Sequence, residues 1–135
     1  TVPIGKAAIA REGRDVTVVA WGAVLYECLE AANQAAEQGV DVEVLDLRTL
    51  WPLDIDAVVA SVKKTGRVVV VHEAPKTCGL GGEIVALINE KAFLHLEAPP
   101  ARVTGFDTPF PYTLENEYLP LAHRILPTLI ETARY

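Results

Sequence analysis

Three short apolar runs constrain this chain more than anything else in it: Val16-Thr-Val-Val-Ala-Trp21, Val42-Glu-Val-Leu-Asp-Leu47 and Val68-Val-Val-Val71. A strand with one wet face alternates polar and apolar residues. A near-continuous β-branched run instead needs helices over both faces, which is the condition of a parallel α/β sheet. The segments between the runs carry helical periodicity. Residues 23–38 place Leu25, Cys28, Leu29, Ala32 and Ala36 on one stripe, and Gly39 stands where a helix C-terminal glycine belongs. Asp54 is placed to cap a helix predicted over 55–64, which Gly66 stops. A loop over 72–80 leads to a helix over about 81–92, and weaker strands are predicted at 6–11 and 101–106. An irregular stretch over 107–120 follows. Ile125, Leu126, Leu129, Ile130 and Ala133 share the face of a last helix. Proline removes a donor and clashes with the preceding turn, so that helix is expected to begin near Leu126 with Pro127 in its first turn. The expected architecture is a single three-layer α/β/α domain of about five strands over 1–135.

Charge narrows the partners. Acidic side chains number 18 against 12 basic ones, a formal charge of −6, which would repel duplex nucleic acid and attract a basic partner. No apolar run approaches the roughly 20 residues a membrane span needs, and the first residues do not read as a secretory signal. Cys28 and Cys78 form no Cys-x-x-Cys pair. Both are read as small apolar side chains in a reducing compartment, the bacterial cytoplasm or the mitochondrial matrix. There is no Met, and Thr1-Val2-Pro3-Ile4-Gly5 reads as the tail of a linker, so the chain is expected to be cut from something longer.

Open parallel sheets bind ligands beyond the carboxyl ends of their strands, where the strand order reverses. Two such ends stand out, Trp21-Gly22-Ala23 and His72-Glu73-Ala74, each feeding a helix whose N-terminal N–H groups favour an anion. Ordinary strand-to-helix turns are the alternative. Cys78-Gly-Leu-Gly-Gly-Glu83 lacks both Gly-x-Gly-x-x-Gly and Gly-Lys-Ser/Thr, so its glycines are read as allowing a tight turn packed close to the sheet. His72 and Glu73 are the one plausible acid–base pair, yet neighbours in a strand point to opposite faces. His72 is therefore read first as a structural, hydrogen-bonded histidine. His95 and His123 read as surface or packing residues. No spacing resembles a zinc site and no serine sits in a nucleophile elbow, so no catalytic, cofactor-binding or metal residue is assigned.

Several ordered segments resemble one family: Thr1-Val-Pro-Ile-Gly-Lys-Ala7, Asp15-Val-Thr-Val-Val-Ala-Trp-Gly22, Val44-Leu-Asp-Leu-Arg-Thr-Leu50 with Pro52-Leu53-Asp54, and Val71-His-Glu-Ala-Pro75. Gly81-Gly-Glu-Ile84, Leu96-Glu-Ala-Pro99, Arg102-Val-Thr-Gly105 and Asp107-Thr-Pro-Phe-Pro111 complete the set. Together they are similar to the C-terminal third of the beta subunits of 2-oxoacid dehydrogenase complexes, in the transketolase C-terminal-domain superfamily. His-Glu-Ala-Pro and Asp-Thr-Pro-Phe-Pro look most like the branched-chain (2-oxoisovalerate) enzymes, with pyruvate and acetoin enzymes sharing much of the pattern.

The resemblance implies a mixed five-stranded sheet with its first strand antiparallel. It also implies an upstream domain, absent from this chain, that binds the pyrimidine of thiamine diphosphate, while an alpha subunit holds the diphosphate through Mg²⁺. The implied role of this domain is assembly, pairing beta subunits in a heterotetramer and bordering the alpha subunit. By position, Leu53 and Glu83 match residues facing the alpha subunit, with Glu83 equally suited to stabilising a helix start. His72 and Glu73 are placed near the active-site funnel. The basic subunit-binding domain of the dihydrolipoyl acyltransferase core is the second implied partner. Its docking candidates are Glu131 and the terminal carboxylate of Tyr135, with Glu115 and Glu117 weaker. The alternatives are a free-standing anion-binding module of flavodoxin type, or the same domain in a transketolase or deoxyxylulose-phosphate synthase.

Overall fold

The computed structural model describes residues 1–135. Five strands form one sheet: β1 (Ala8–Arg11), β2 (Val16–Ala20), β3 (Val42–Asp46), β4 (Val68–Pro75) and β5 (Ala101–Gly105). Their order is β1-β3-β2-β4-β5, with β1 antiparallel to β3 and every other pairing parallel. The mixed five-stranded architecture is therefore as expected. Helices α1 (Val24–Glu37), α2 (Ile55–Thr65), α3 (Leu80–Ala92), α4 (Glu115–Tyr118) and α5 (Ala122–Arg134) complete the chain, with 3₁₀ turns at Phe93–His95 and Tyr112–Leu114. No helix is long and apolar enough to cross a membrane.

The two faces of the sheet are buried separately. Val16, Val18, Val42, Val44, Val69 and Val71 pack under α1 and α5, while Val19, Leu45, Val68 and Val70 pack under α2 and α3. Alternation of side chains along each strand sends successive valines to opposite layers, so an unbroken valine run fills both. Asp54 caps α2, its Oδ1 accepting from Ala57 N at 3.3 Å, and its Oδ2 accepts from Ala7 N at 3.1 Å, tying the approach to β1 onto the same cap. Gly39, at φ 79°, ends α1 in a Schellman motif: its N–H donates to Ala36 O at 3.0 Å and Val40 N–H donates to Ala35 O at 3.0 Å.

Four expectations are corrected. The buried face of α1 is Val24, Cys28, Ala31, Ala32 and Ala35, with Leu25 and Leu29 half-buried and Ala36 exposed. The helix touches both the sheet and α5, which turns and widens its apolar face. Residues 72–75 belong to β4 rather than to a loop, because β5 continues to pair with that strand past a register shift between His72 and Pro75. Cys78 is exposed rather than packed. The last helix starts at Ala122, four residues earlier than Leu126, and carries Pro127 inside it. Its first turn is held from outside: Glu27 Oε2 accepts from Ala122 N at 2.9 Å, and the buried Ala122 and Ile125 pack against the α1 side of the core. That anchoring outweighs the donor lost at Pro127.

Candidate functional site

The strand order turns around between β2 and β4. β2 passes the chain to α1 on one face and β4 passes it to α3 on the other, so a crevice opens where the two adjacent strands end. Trp21 and His72, one from each end, stack there with ring centroids 5.4 Å apart at 26°. His72 is only 1% exposed. Its Nδ1 lies 3.1 Å from the Ala74 carbonyl oxygen, an acceptor, so the proton sits on Nδ1. Nε2 is then a bare acceptor, buried without a partner. It faces the glycine turn that starts α3. A Cβ built on Gly79 would stand 2.6 Å from His72 Cε1, and one on Gly81 would stand 2.5 Å from Nε2. The glycines therefore make room for the imidazole. Burial pushes the His72 pKa below its ordinary 6.5. The Ala74 hydrogen bond opposes that shift and the Arg102 guanidinium adds to it, leaving a neutral ring.

Glu73 is exposed, and the adjacent pair does not meet as acid and base. Glu83 is exposed in the first turn of α3. Leu53 is half-buried ahead of α2, packed against the core layer beneath α2 and α3. These three positions, with His72, thus lie at the carboxyl end of the parallel strands. Beside Leu53 stands Trp51, 91% exposed, which the sequence reading passed over. The sequence offered only that it is one of two tryptophans; its exposure, the feature that points to a partner surface, is a fact of the fold.

Glu131 and Tyr135 lie at the other end of the sheet. They line one cavity of about 220 Å³ with Pro99 and Pro100, which precede β5. Tyr135 also borders an adjoining hollow of about 600 Å³ walled by Phe93, Leu94, Leu96 and Pro99. Glu115 and Glu117 are not brought to them: both are exposed on the one-turn α4, beyond the far end of β5.

Glu43 was also missed. It is fully buried in β3, where an acid inside an apolar run was a readable anomaly. Ser61 Oγ donates to its Oε1 at 2.5 Å, Lys64 Nζ pairs with its Oε2, and Thr17 Oγ1 extends the network to Ser61 and Thr65 at 2.8 Å each. The network bonds β2 and β3 to α2.

Thiamine diphosphate and Mg²⁺ do not fit the residues of this chain. No group of three His, Cys, Asp or Glu side chains converges to hold a metal. The one glycine turn that resembles a phosphate cradle has the His72 ring wedged beneath it.

Comparison with known proteins places this geometry. Residues 5–125 match the family model described as transketolase, C-terminal domain. The chain is 55% identical over 120 residues to the mitochondrial 2-oxoisovalerate dehydrogenase subunit beta of Dictyostelium discoideum, covering 88% of this chain and 32% of that protein. Identity to the 2-oxoisovalerate dehydrogenase subunit beta of Pseudomonas aeruginosa is 52% over 124 residues, 92% of this chain and 35% of that one. The pyruvate dehydrogenase E1 component subunit beta of Staphylococcus aureus is 45% identical over 136 residues, covering 100% of this chain and 42% of its own length. A split gene transketolase, solved as an inactive beta4 tetramer, superposes with a TM-score of 0.84 at 28% identity, over 96% of this chain and 42% of that one. The chain spans about a third to two fifths of the length of the curated relatives it matches.

Proposed function

The chain belongs to the transketolase C-terminal domain family, and from that membership we propose that it is the assembly domain of the beta subunit of a thiamine-diphosphate-dependent 2-oxoacid dehydrogenase. The observation that carries the reading is the 55% and 52% identity to two 2-oxoisovalerate dehydrogenase beta subunits across nearly the whole chain. The intact enzyme would release CO₂ from a branched-chain 2-oxoacid and pass the acyl group to a lipoyl arm. An upstream domain and the alpha subunit would supply the thiamine diphosphate and Mg²⁺.

Within this reading the two ends of the sheet have different partners. The carboxyl end, with Leu53, Glu83 and the exposed Trp51, faces the alpha subunit, and Glu73 lies beside the active-site funnel. His72 supports that wall rather than exchanging protons, since its one free nitrogen is buried. The opposite end, with Glu131, Tyr135 and the apolar hollow next to them, docks the basic subunit-binding domain of the acyltransferase core. A second beta subunit completes the heterotetramer. The relatives named mitochondrial and those from bacteria favour the matrix or the bacterial cytoplasm as its location. Raising salt weakens a docking contact built on these acids, because exposed charge pairs are screened. Salt-independent docking removes them from the interface.

The test is to co-express the full-length protein with an alpha subunit and measure 2-oxoacid decarboxylation. Side chains differing by a methyl group or two are expected to separate in kcat/KM by about tenfold or more, with 3-methyl-2-oxobutanoate above pyruvate. A preference for pyruvate favours the pyruvate or acetoin dehydrogenase alternative, which the 45% identity to a pyruvate dehydrogenase beta subunit keeps in view. Failure to associate with any alpha subunit favours a free-standing module.

A further inference from the structure

Going beyond the assembly role, we propose that the groove along the outer edge of β5 is a binding site for a small dianion of the phosphate-monoester class. The groove has a volume of about 300 Å³, and Lys76, Arg102 and Arg124 line it together with Thr104, Thr128 and Asp107. Three cations against one acid concentrate positive charge in a chain whose formal charge is −6. None of the three forms an ion pair; the ion pairs of the chain use Arg11, Arg14, Arg48, Lys64 and Arg67. Asp107 offsets only part of that charge: its carboxylate accepts from the Thr77 N–H at 2.9 Å and hydroxyl at 2.5 Å, bonds that with the weaker pull of Lys76 hold it below the usual carboxylate range, and both arginines are left without an acid.

The donors are held in place before any ligand arrives. Arg124 donates to Tyr118 O at 2.7 Å and Thr104 O at 2.8 Å, and its guanidinium carbon lies 4.4 Å from the centroid of Phe106. Arg102 Nη1 donates to Lys76 O at 3.2 Å and lies 3.5 Å from where a Cβ on Gly82 would sit, at the N-terminal end of α3. That helix end adds positive potential behind it. A guanidinium has five N–H donors, so both arginines keep some for a ligand. Burial lowers the Arg124 pKa from its ordinary value. A cation partly stripped of water and left without a counterion gains from an arriving anion. Planar forks suit the paired oxygens of a phosphate, and Lys76, exposed at the rim, adds a point charge. Lining charge of three cations and one anion favours a dianion over a monocarboxylate.

The experiment is isothermal titration calorimetry of the full-length protein with glycerol phosphate. Malonate serves as the dicarboxylate arm and potassium chloride as the control for ionic strength. The expected result is saturable binding of glycerol phosphate with a Kd of about 1 mM or tighter. Lys76→Glu should weaken it about tenfold or more, and Lys91→Glu, at the other end of α3, should leave it unchanged. Lys76 is exposed, so its substitution leaves the fold intact, and circular dichroism checks this. Lys76→Gln provides a milder variant with the same direction of change. No saturation, or binding that Lys76→Glu does not alter, overturns the site. Malonate binding as tightly as glycerol phosphate overturns the phosphate class. Binding is read as heat, so none of these outcomes depends on an alpha subunit or on activity.

Discussion

Two adjacent glycines at the start of α3 should respond to alanine with opposite signs. Neither has a positive φ, so backbone strain plays no part. A Cβ on Gly81 falls 2.5 Å from His72 Nε2 and 2.8 Å from Cδ2, where ordinary contact begins at 3.4 Å. The ring or the turn must therefore retreat by about 0.9 Å. The ring is not free to do so, being stacked on Trp21 and bonded to the Ala74 carbonyl. Overpacking of this kind costs about 1–3 kcal/mol, or a fall in Tm of about 4–10 °C for a domain of this size. A Cβ on Gly82 meets nothing nearer than Arg102 Nη1 at 3.5 Å. Gly82→Ala should accordingly stabilise by about 0.5 kcal/mol, through the unfolded chain it restricts. Differential scanning calorimetry of both variants, and of each combined with His72→Ala, measures the effect. With the imidazole removed, Gly81→Ala should cost less than about 0.5 kcal/mol. An equal cost with and without the ring would refute the wedge, as would a Gly81→Ala protein at least as stable as its parent.

His72 also sets a pH dependence. Its folded pKa lies below the ordinary 6.5, so as pH falls past that value the unfolded state takes up the proton first and stability declines until the folded pKa is reached. Urea titrations between pH 7 and 5 should show the decline, and His72→Gln should flatten it. Lys64→Met leaves the buried Glu43 carboxylate without its cation and should cost about 1–3 kcal/mol, the lower end following from Lys64 being 42% exposed. The Glu43→Gln/Lys64→Met double variant should lose less than the sum of the singles, measured by chemical denaturation. Cys28 is buried and its pKa is pushed up to about 12, chiefly by burial and secondarily by Glu27. A thiol reagent at neutral pH should therefore label Cys78 within minutes and Cys28 only on unfolding, as mass spectrometry would show.

The valine runs made the sheet legible, because a strand buried on both faces leaves an uninterrupted apolar signature. Helix limits were legible where the cap was local, as at Asp54 and Gly39. They were misjudged at α5, whose first N–H is held by Glu27, 95 positions away along the chain. No window of sequence contains both partners. The same distance hid the site. Trp21 and His72 were each recognisable as strand ends, but their stacking needs β2 beside β4, a fact of topology. Lys76, Arg102 and Arg124 are scattered singly through the sequence and read as surface charge until β4, β5 and α5 gather them. Glu43 was visible as an acid among valines and could have been questioned from the sequence.

The late position of α5 also bears on biosynthesis. All five strands precede it, so a nascent chain can assemble its entire sheet while the layer begun by α1 still lacks its second helix. Until Ala122–Arg134 arrives, the face carrying Val69, Val71 and Val103 and the flank of α1 remain bare. A message that terminates early, or a ribosome that stalls there, would release a chain with complete strands and an open apolar surface, the kind that chaperones hold and proteases clear. Closure of that apolar face therefore depends on one helix that local sequence does not itself hold in place, since its first N–H is bonded by Glu27 of α1.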